Sequence, residues 1–288
     1  SVLKQLVAWV GKEEFMAGVA NYFKKHAYKN TELNDLLVEL EATSGRELRS
    51  WSKLWLETAG VNTLRPIIET DSNNLITRFE VAQTAIAEHP TLRPHRMAIG
   101  FYNLVNSKLR RVSRVEIDID GSSTSIKDLV SLQLPDLVLL NDDDLAYAKI
   151  RLDQKSWSTA LANLSNFEDS LARTLVWGAA WDATRDAEAN PREFIQLVIN
   201  NIASETESTT MLTLLRQLVT TAYQFVSPLH RKEVIGQVGN ALLRLANEAK
   251  PGSDAQLQFI KFFAVFASTP DLLDELQALR DGTKTLTG

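Results

Sequence analysis

Residues 134–153 read LPDLVLLNDDDLAYAKIRLD. This stretch divides the chain. On its N-terminal side the apolar residues alternate with a period of two; on its C-terminal side they recur at helical spacing to the end.

Working back from it, residues 62–140 predict short strands. Leu75, Thr77, Phe79 and Val81 alternate with Ile76, Arg78, Glu80 and Ala82. Met97, Ile99 and Phe101 alternate in the next strand, Asn106-Ser107 forms a turn, and Val115, Ile117 and Ile119 alternate with Glu116, Asp118 and Asp120. Segments at Leu64–Thr70, Ser123–Lys127 and Leu137–Leu140 complete a small antiparallel β-sandwich. Before the strands the spacing is helical. Val2, Leu3, Leu6, Val7 and Val10 share a face, and Gly11 is placed to close that helix. A second helix follows from Glu13 to His26. A third begins at the N-cap Thr31 and stops at Gly45, and a fourth spans Leu48–Thr58. The pattern opens inside a helix with no cap, as the tail of a larger helical domain would.

Beyond Asp153, seven helices follow one another. Asn190-Pro191 and Thr269-Pro270 are cap-then-proline starts. Met211, Leu214, Leu215, Leu218 and Ala222 follow the i, i+3, i+4, i+7 rule. Helices of this length with short joints predict stacked antiparallel pairs, a solenoid-like (HEAT/ARM-like) domain without a fixed sequence repeat.

The 288 residues carry 31 basic and 36 acidic side chains, a net charge of −5. Basic and acidic groups balance at 8 and 8 over residues 1–61 and at 9 and 9 over 62–140. The excess falls on 141–288, with 14 basic against 19 acidic. Nucleic acid calls for a basic face, so it is not an expected partner. No run approaches the roughly 20 apolar residues of a membrane span. With no cysteine there is no thiolate metal site or disulfide framework, which fits a cytoplasmic protein.

Candidate chemistry is sparse. His26, His89, His95 and His230 are scattered, and His230 with Glu233 has no second histidine one turn away, so no zinc site is expected. Asp142-Asp143-Asp144 lacks the spacing and glycine of a calcium loop and reads as a solvated turn. The cluster Lys108, Arg110, Arg111 and Arg114 predicts cross-strand pairing with neighbouring acids. Trp177 and Trp181 share a helical stripe with Arg173 and Arg185, either as core with an exposed edge or as an aromatic and arginine-lined groove. Phe259–Phe266 is apolar nearly all round, as a central or interfacial helix would be. No nucleophile elbow, P-loop or dinucleotide fingerprint occurs.

Four passages carry a family resemblance: Ser1–Leu6 with Gly11, Phe15, Gly18 and Tyr22–His26; Asn30–Leu36; Trp51–Leu64; and Leu140–Ile150. In order and motif they resemble the C-terminal portion of M1-family zinc aminopeptidases, the aminopeptidase N group, in its actinobacterial form. The resemblance implies three parts: residues 1–61 as the helical end of the catalytic (thermolysin-like) domain, 62–140 as the β-sandwich, and 141–288 as the C-terminal helical domain. It implies peptide substrates and a zinc ion in the parent enzyme, with the upstream catalytic domain of the same chain as partner. The family's His-Glu-x-x-His zinc motif, its Gly-x-Met-Glu-Asn motif and its catalytic tyrosine have no counterpart here. No catalytic residue, metal ligand or cofactor is therefore expected in this chain, which by itself would be inactive. In the family the helical domain closes over the active site and limits peptide access. Arg173, Arg185 and Arg216 are the candidates for contacting peptide, on composition alone. The competing reading is an independent helical-repeat interaction module.

Overall fold

The computed structural model describes residues 2–286; Ser1, named in the resemblance above, and Thr287 and Gly288, at the end of the expected helical domain, lie outside the described residues. The chain forms two compact units. One holds the residues up to 104 together with 110–156; the other holds 105–109 and the described residues from 157 onward.

The first unit opens with four helices: α1 (Val2–Val10), α2 (Lys12–Lys25), α3 (Leu33–Ser44) and α4 (Arg49–Leu56). Gly11 closes α1 as the sequence predicts. Its φ of 99° is open to glycine and strained for other residues, and its N–H donates to the Val7 carbonyl at 3.0 Å. The cap of α3 lies one residue later than expected. Glu32 and Asp35 form a reciprocal capping box, while the Thr31 hydroxyl pairs with Tyr22. The four helices bury one core of Leu6, Val10, Leu37, Leu40, Leu48, Trp51 and Trp55.

Two sheets follow. The first has the order β5 (Ser123–Ser125), β2 (Ile76–Thr84), β1 (Thr63–Thr70), β7 (Lys149–Ile150); the second has the order β4 (Lys108–Ile119), β3 (His95–Val105), β6 (Leu137–Asp142). They pack through side chains such as Phe79 and Phe101, whose rings lie 6.2 Å apart. The expected antiparallel pairing holds for β1 with β2, β2 with β5 and β3 with β6; β7 adds a short parallel pair with β1. The strands therefore run past the triple aspartate to Ile150, into the stretch expected to open the helical domain.

Two bulges account for the differences from simple alternation. The register shifts at Glu69/Thr70, and Ile76 is buried with Phe79 and Val81 while Thr77 faces solvent. Phe79 and Val81 are buried on the side the alternation predicts; the bulge at Thr77 shifts the phase only at the start of the strand, where Ile76 is buried in place of Leu75 and Thr77. On β6, Leu140 faces Ile99 while Asp142 faces Ala98. Asn141 is the extra residue, with a φ of 58°.

The second unit holds seven helices among its described residues: α5 (Gln154–Asn163), α6 (Ser170–Arg185), α7 (Pro191–Asn201), α8 (Ser208–Thr220), α9 (Pro228–Glu248), α10 (Asp254–Phe266) and α11 (Pro270–Arg280). Side-chain caps set the starts: Asp169 accepts from the Leu171 N–H, Asn190 from Arg192 and Thr269 from Leu272. One π-helical turn, Thr221–Phe225, follows α8. The apolar helix α10 is one-sided after all: Phe259, Phe263 and Phe266 are buried and Val265 is exposed. The chain is thus mainly helical with two small sheets.

Candidate functional site

The triple aspartate is not a solvated turn. Asp142 is buried; it accepts from the Tyr102 hydroxyl and from Arg111 Nη1, each at 2.9 Å. Asp143 accepts from Arg111 Nη1 at 2.7 Å and from Arg114 Nε at 2.6 Å. Burial pushes the Asp143 carboxyl up, but the two guanidinium groups outweigh it and hold the carboxyl below its usual range. Asp144 pairs with Lys4 Nζ at 2.8 Å. Each carboxylate is committed to an organic cation, which leaves no lone-pair set facing a common point where a metal could sit. The basic cluster on β4 thus does pair with acids. Arg111 and Arg114 reach past the neighbouring strand to β6, while Glu116 and Asp118 on β4 receive Arg96 of β3.

The histidines stay apart. His89 is exposed, and His26 lies against Tyr22 with ring centroids 5.5 Å apart. His95 is fully buried, its Nε2 is 2.9 Å from Gln83 Oε1, and its ring meets Trp55 edge-on at 5.2 Å. Burial, reinforced by the charge of Arg93, pushes its pKa down to about 3, so it is neutral near pH 7. Among the described residues no three histidine, aspartate or glutamate side chains gather so as to hold a metal ion. No helix there is long and apolar enough to cross a membrane.

Arg93 was not anticipated as a structural centre. Its guanidinium, 2% exposed, donates to the carbonyls of Leu54, Thr58 and Ala59 and to the Thr58 hydroxyl. It thereby satisfies the orphan carbonyls at the end of α4, where a cation is also favoured by the helix dipole. Asn62 Nδ2 bonds the Thr91 carbonyl at 2.7 Å, and Trp55 Nε1 bonds that of Pro94 at 3.2 Å. Two prolines flanking an arginine were the only hint in the sequence that this loop is held in place.

The three candidate arginines sit differently. Arg173 Nε donates to Glu205 Oε1 at 2.7 Å, and the same oxygen receives Trp177 Nε1 at 2.7 Å. Both side chains of the ion pair are nearly out of solvent, at 11% and 3% exposure. Trp177 is therefore core, and Trp181 packs against Phe194 and Phe225 at 5.6 and 6.0 Å. The stripe is core with an exposed edge, the first of its two expected uses. Arg185 is exposed and pairs with Asp182 at 2.9 Å. Arg216 is exposed and has no ion-pair partner among the described residues.

A cleft of about 270 Å³ lies between α6 and α8, lined by Thr174, Trp177 and Gly178 on one side and Thr210, Thr213 and Gln217 on the other. Arg185 is two turns beyond Gly178 on the same face of α6, and Arg216 is one turn beyond Thr213 on α8. A larger cleft of about 510 Å³, not foreseen from the sequence, is lined by Leu161, Arg192, Glu193, Gln196, Glu233 and Gln237, among others. Its walls combine amide and charged groups of α7 and α9 with the apolar side chains of Leu161, Ile195 and Val234. They could hydrogen-bond an extended polar ligand but contain no nucleophile paired with a base.

Comparison with known proteins places this architecture in a class. Residues 137–288 match the ERAP1-like C-terminal domain, and residues 1–57 match the peptidase family M1 domain. The chain belongs to the ERAP1-like C-terminal domain family and joins it to the end of an M1 peptidase domain. It is 48% identical over 295 residues to aminopeptidase N of Streptomyces lividans, a match covering 100% of this chain and 34% of that protein. It is 23% identical over 169 residues to the tricorn protease-interacting factor F2 of Thermoplasma volcanium, covering 59% of this chain and 19% of that one. It is also 32% identical over 88 residues to aminopeptidase N of Lactococcus lactis, covering 31% and 10%. The chain spans about a third, or less, of the length of these relatives. The resemblance read from the motifs to the C-terminal portion of an actinobacterial M1 aminopeptidase is met by these matches.

Proposed function

We propose that this chain is the non-catalytic C-terminal part of a zinc aminopeptidase that removes N-terminal residues from peptides. The observation that carries the reading is the identity of 48% across the whole chain to an aminopeptidase N, with an M1 peptidase match at one end and an ERAP1-like match at the other. In this reading residues 1–61 complete the catalytic domain, 62–140 form the β-sandwich, and 141–288 stack as a solenoid-like cap that limits peptide access to the active site. The apolar side chains exposed on the first helices, Leu3, Met16, Phe23 and Leu33 among them, support a covering domain there. Zinc and the hydrolytic step would belong to the parent enzyme, where a bound zinc would supply Lewis-acid activation of water. Its location would be cytoplasmic. Arg173, Arg185 and Arg216 are proposed to serve peptide binding, Arg185 and Arg216 by direct contact and Arg173 by holding Glu205 and Trp177 beside the α6/α8 cleft.

The test is zinc analysis with an aminoacyl-anilide assay on this chain and on the longer product of its gene. Stoichiometric zinc and turnover in the longer protein, with neither in this chain, is the expected result. Zinc with turnover in this chain alone would sink the proposal. A gene without an upstream His-Glu-x-x-His region would favour the independent helical-repeat module.

A further inference from the structure

The turn at residues 141–147 is gripped from two directions. Three of its residues, Asn141, Asp143 and Asp144, hold left-handed φ angles of 58°, 66° and 56°. Side chains other than glycine keep that conformation only where the surroundings over-determine it. Asn141 closes the turn on itself: its Nδ2 donates to the Ala146 carbonyl at 2.9 Å and its Oδ1 accepts from the Ala146 N–H at 2.7 Å. From the sheet side, Arg111 and Arg114 on β4 hold Asp142 and Asp143. From the other side, α1 takes hold: Gln5 Oε1 accepts from the Tyr147 N–H at 2.6 Å, and Lys4 Nζ meets Asp144 at 2.8 Å.

Gln5 is the informative member. It is fully buried on a helix whose other buried residues are Leu6 and Val10, and its Nε2 has no hydrogen-bond partner among the described residues. An unpaired buried amide is unfavourable, and a leucine or methionine would fill the same space without it. What glutamine adds is the carbonyl oxygen that the Tyr147 N–H uses. The position sacrifices half of its polar capacity to keep that one bond.

We infer that Gln5, Lys4 and the 141–147 turn form a latch that couples α1, inside the M1-matching segment, to β6, where the ERAP1-like segment begins. The coupling runs through the turn. Because its conformation is held jointly by α1 and by β4, releasing either grip loosens the other. A chain of contacts that merely lie side by side would not behave in this way.

Amide hydrogen exchange followed by mass spectrometry on the whole chain tests the latch. Gln5→Met keeps the volume and removes the acceptor; Arg111→Met removes the opposite grip. Gln5→Met is expected to speed exchange over 143–150 about fivefold or more, and Arg111→Met to do the same in α1, with the Phe259–Phe266 helix unchanged as an internal reference. Exchange that rises only in the element carrying the substitution overturns the inference. Should Gln5→Met fail to fold, Lys4→Met, on a half-exposed side chain, carries the same expectation at about twofold, and a silent 143–150 segment again overturns it. The readout needs no catalysis, so it stands or falls apart from the proposed aminopeptidase role.

Discussion

Arg111 on β4 donates to Asp142 on β6 at 2.9 Å, and the accepting oxygen, Oδ2, occupies the space a side chain would take at Gly100 on the strand between them. A Cβ at Gly100 would lie 2.2 Å from that oxygen, 2.7 Å from its carboxyl carbon and 2.8 Å from the Tyr102 ring. Gly100 therefore does not serve a turn; it makes room for the buried Asp142 carboxylate to meet the partly exposed Arg111 across a strand. Gly100→Ala should displace the carboxylate and disrupt both its Tyr102 and Arg111 bonds. The expected loss is about 2 kcal/mol, combining overpacking with the displacement of a buried carboxylate from its partners. Urea denaturation measures it, and a loss below about 0.5 kcal/mol, the range of an ordinary surface change, would contradict this account.

His95 predicts a pH dependence of folding. Unfolded, it takes up a proton near pH 6.5; folded, burial and Arg93 hold it neutral down to about pH 3. The unfolded state thus binds more protons across this window. Stability is complete above pH 6.5, falls by up to roughly 1.4 kcal/mol per pH unit on acidification, and levels off below pH 3. Carboxylates add their own slope, so the signal is a difference. His95→Gln should unfold less steeply than the wild type between pH 6.5 and 5, by about 2 kcal/mol over the interval. Parallel stability curves for the two proteins would exclude His95 as the source.

Elements carried by local chemistry were legible in the sequence. The Asn106-Ser107 turn has both residues at positive φ, as a tight hairpin demands, and Asn190-Pro191 starts α7 with a cap and a proline. What escaped depends on residues far apart in the chain. Lys149–Ile150 is too short to show any period, and it becomes a strand because β1 offers an edge. Asp142 looked solvated because its partners, Tyr102 and Arg111, lie 40 and 31 positions away. The phase shift at the start of β2, where Ile76 is buried and Thr77 is not, is a register effect of its pairing with β1, invisible in either strand alone. The family was legible through ordered motifs, whereas the roles of single arginines were not, since an arginine's use is set by what stands opposite it.

Arg173 illustrates this. Glu205 receives both Arg173 and Trp177 in a nearly dry setting, so Glu205→Ala strands a cation and an indole N–H together. A loss of about 3 kcal/mol is expected. The double variant Arg173→Met with Glu205→Leu should regain most of it, since well-packed apolar groups often replace a buried pair without cost. Guanidinium denaturation of the two variants decides the matter. A double variant no more stable than Glu205→Ala would mean that packing around Trp177, and not the stranded charge, dominates.

Arg185 and Arg216 call for the opposite expectation. Arg185 pairs with Asp182 in the open, and Arg216 has no ion-pair partner among the described residues. Exposed pairs contribute little, so Arg185→Ala and Arg216→Ala should each lie within about 0.5 kcal/mol of the wild type. That separation makes them clean probes of the proposed cap. Carried in the proposed longer aminopeptidase, Arg216→Ala should lower kcat/KM for long peptides about tenfold, the worth of one contact of roughly 1.4 kcal/mol, while leaving an aminoacyl-anilide unaffected. Under the proposed cap a short substrate would end at the zinc site, whereas a long peptide would extend to this surface. If both substrates slow together, the change acts on the catalytic centre and not on peptide access. If neither slows, Arg216 lies off the peptide's path.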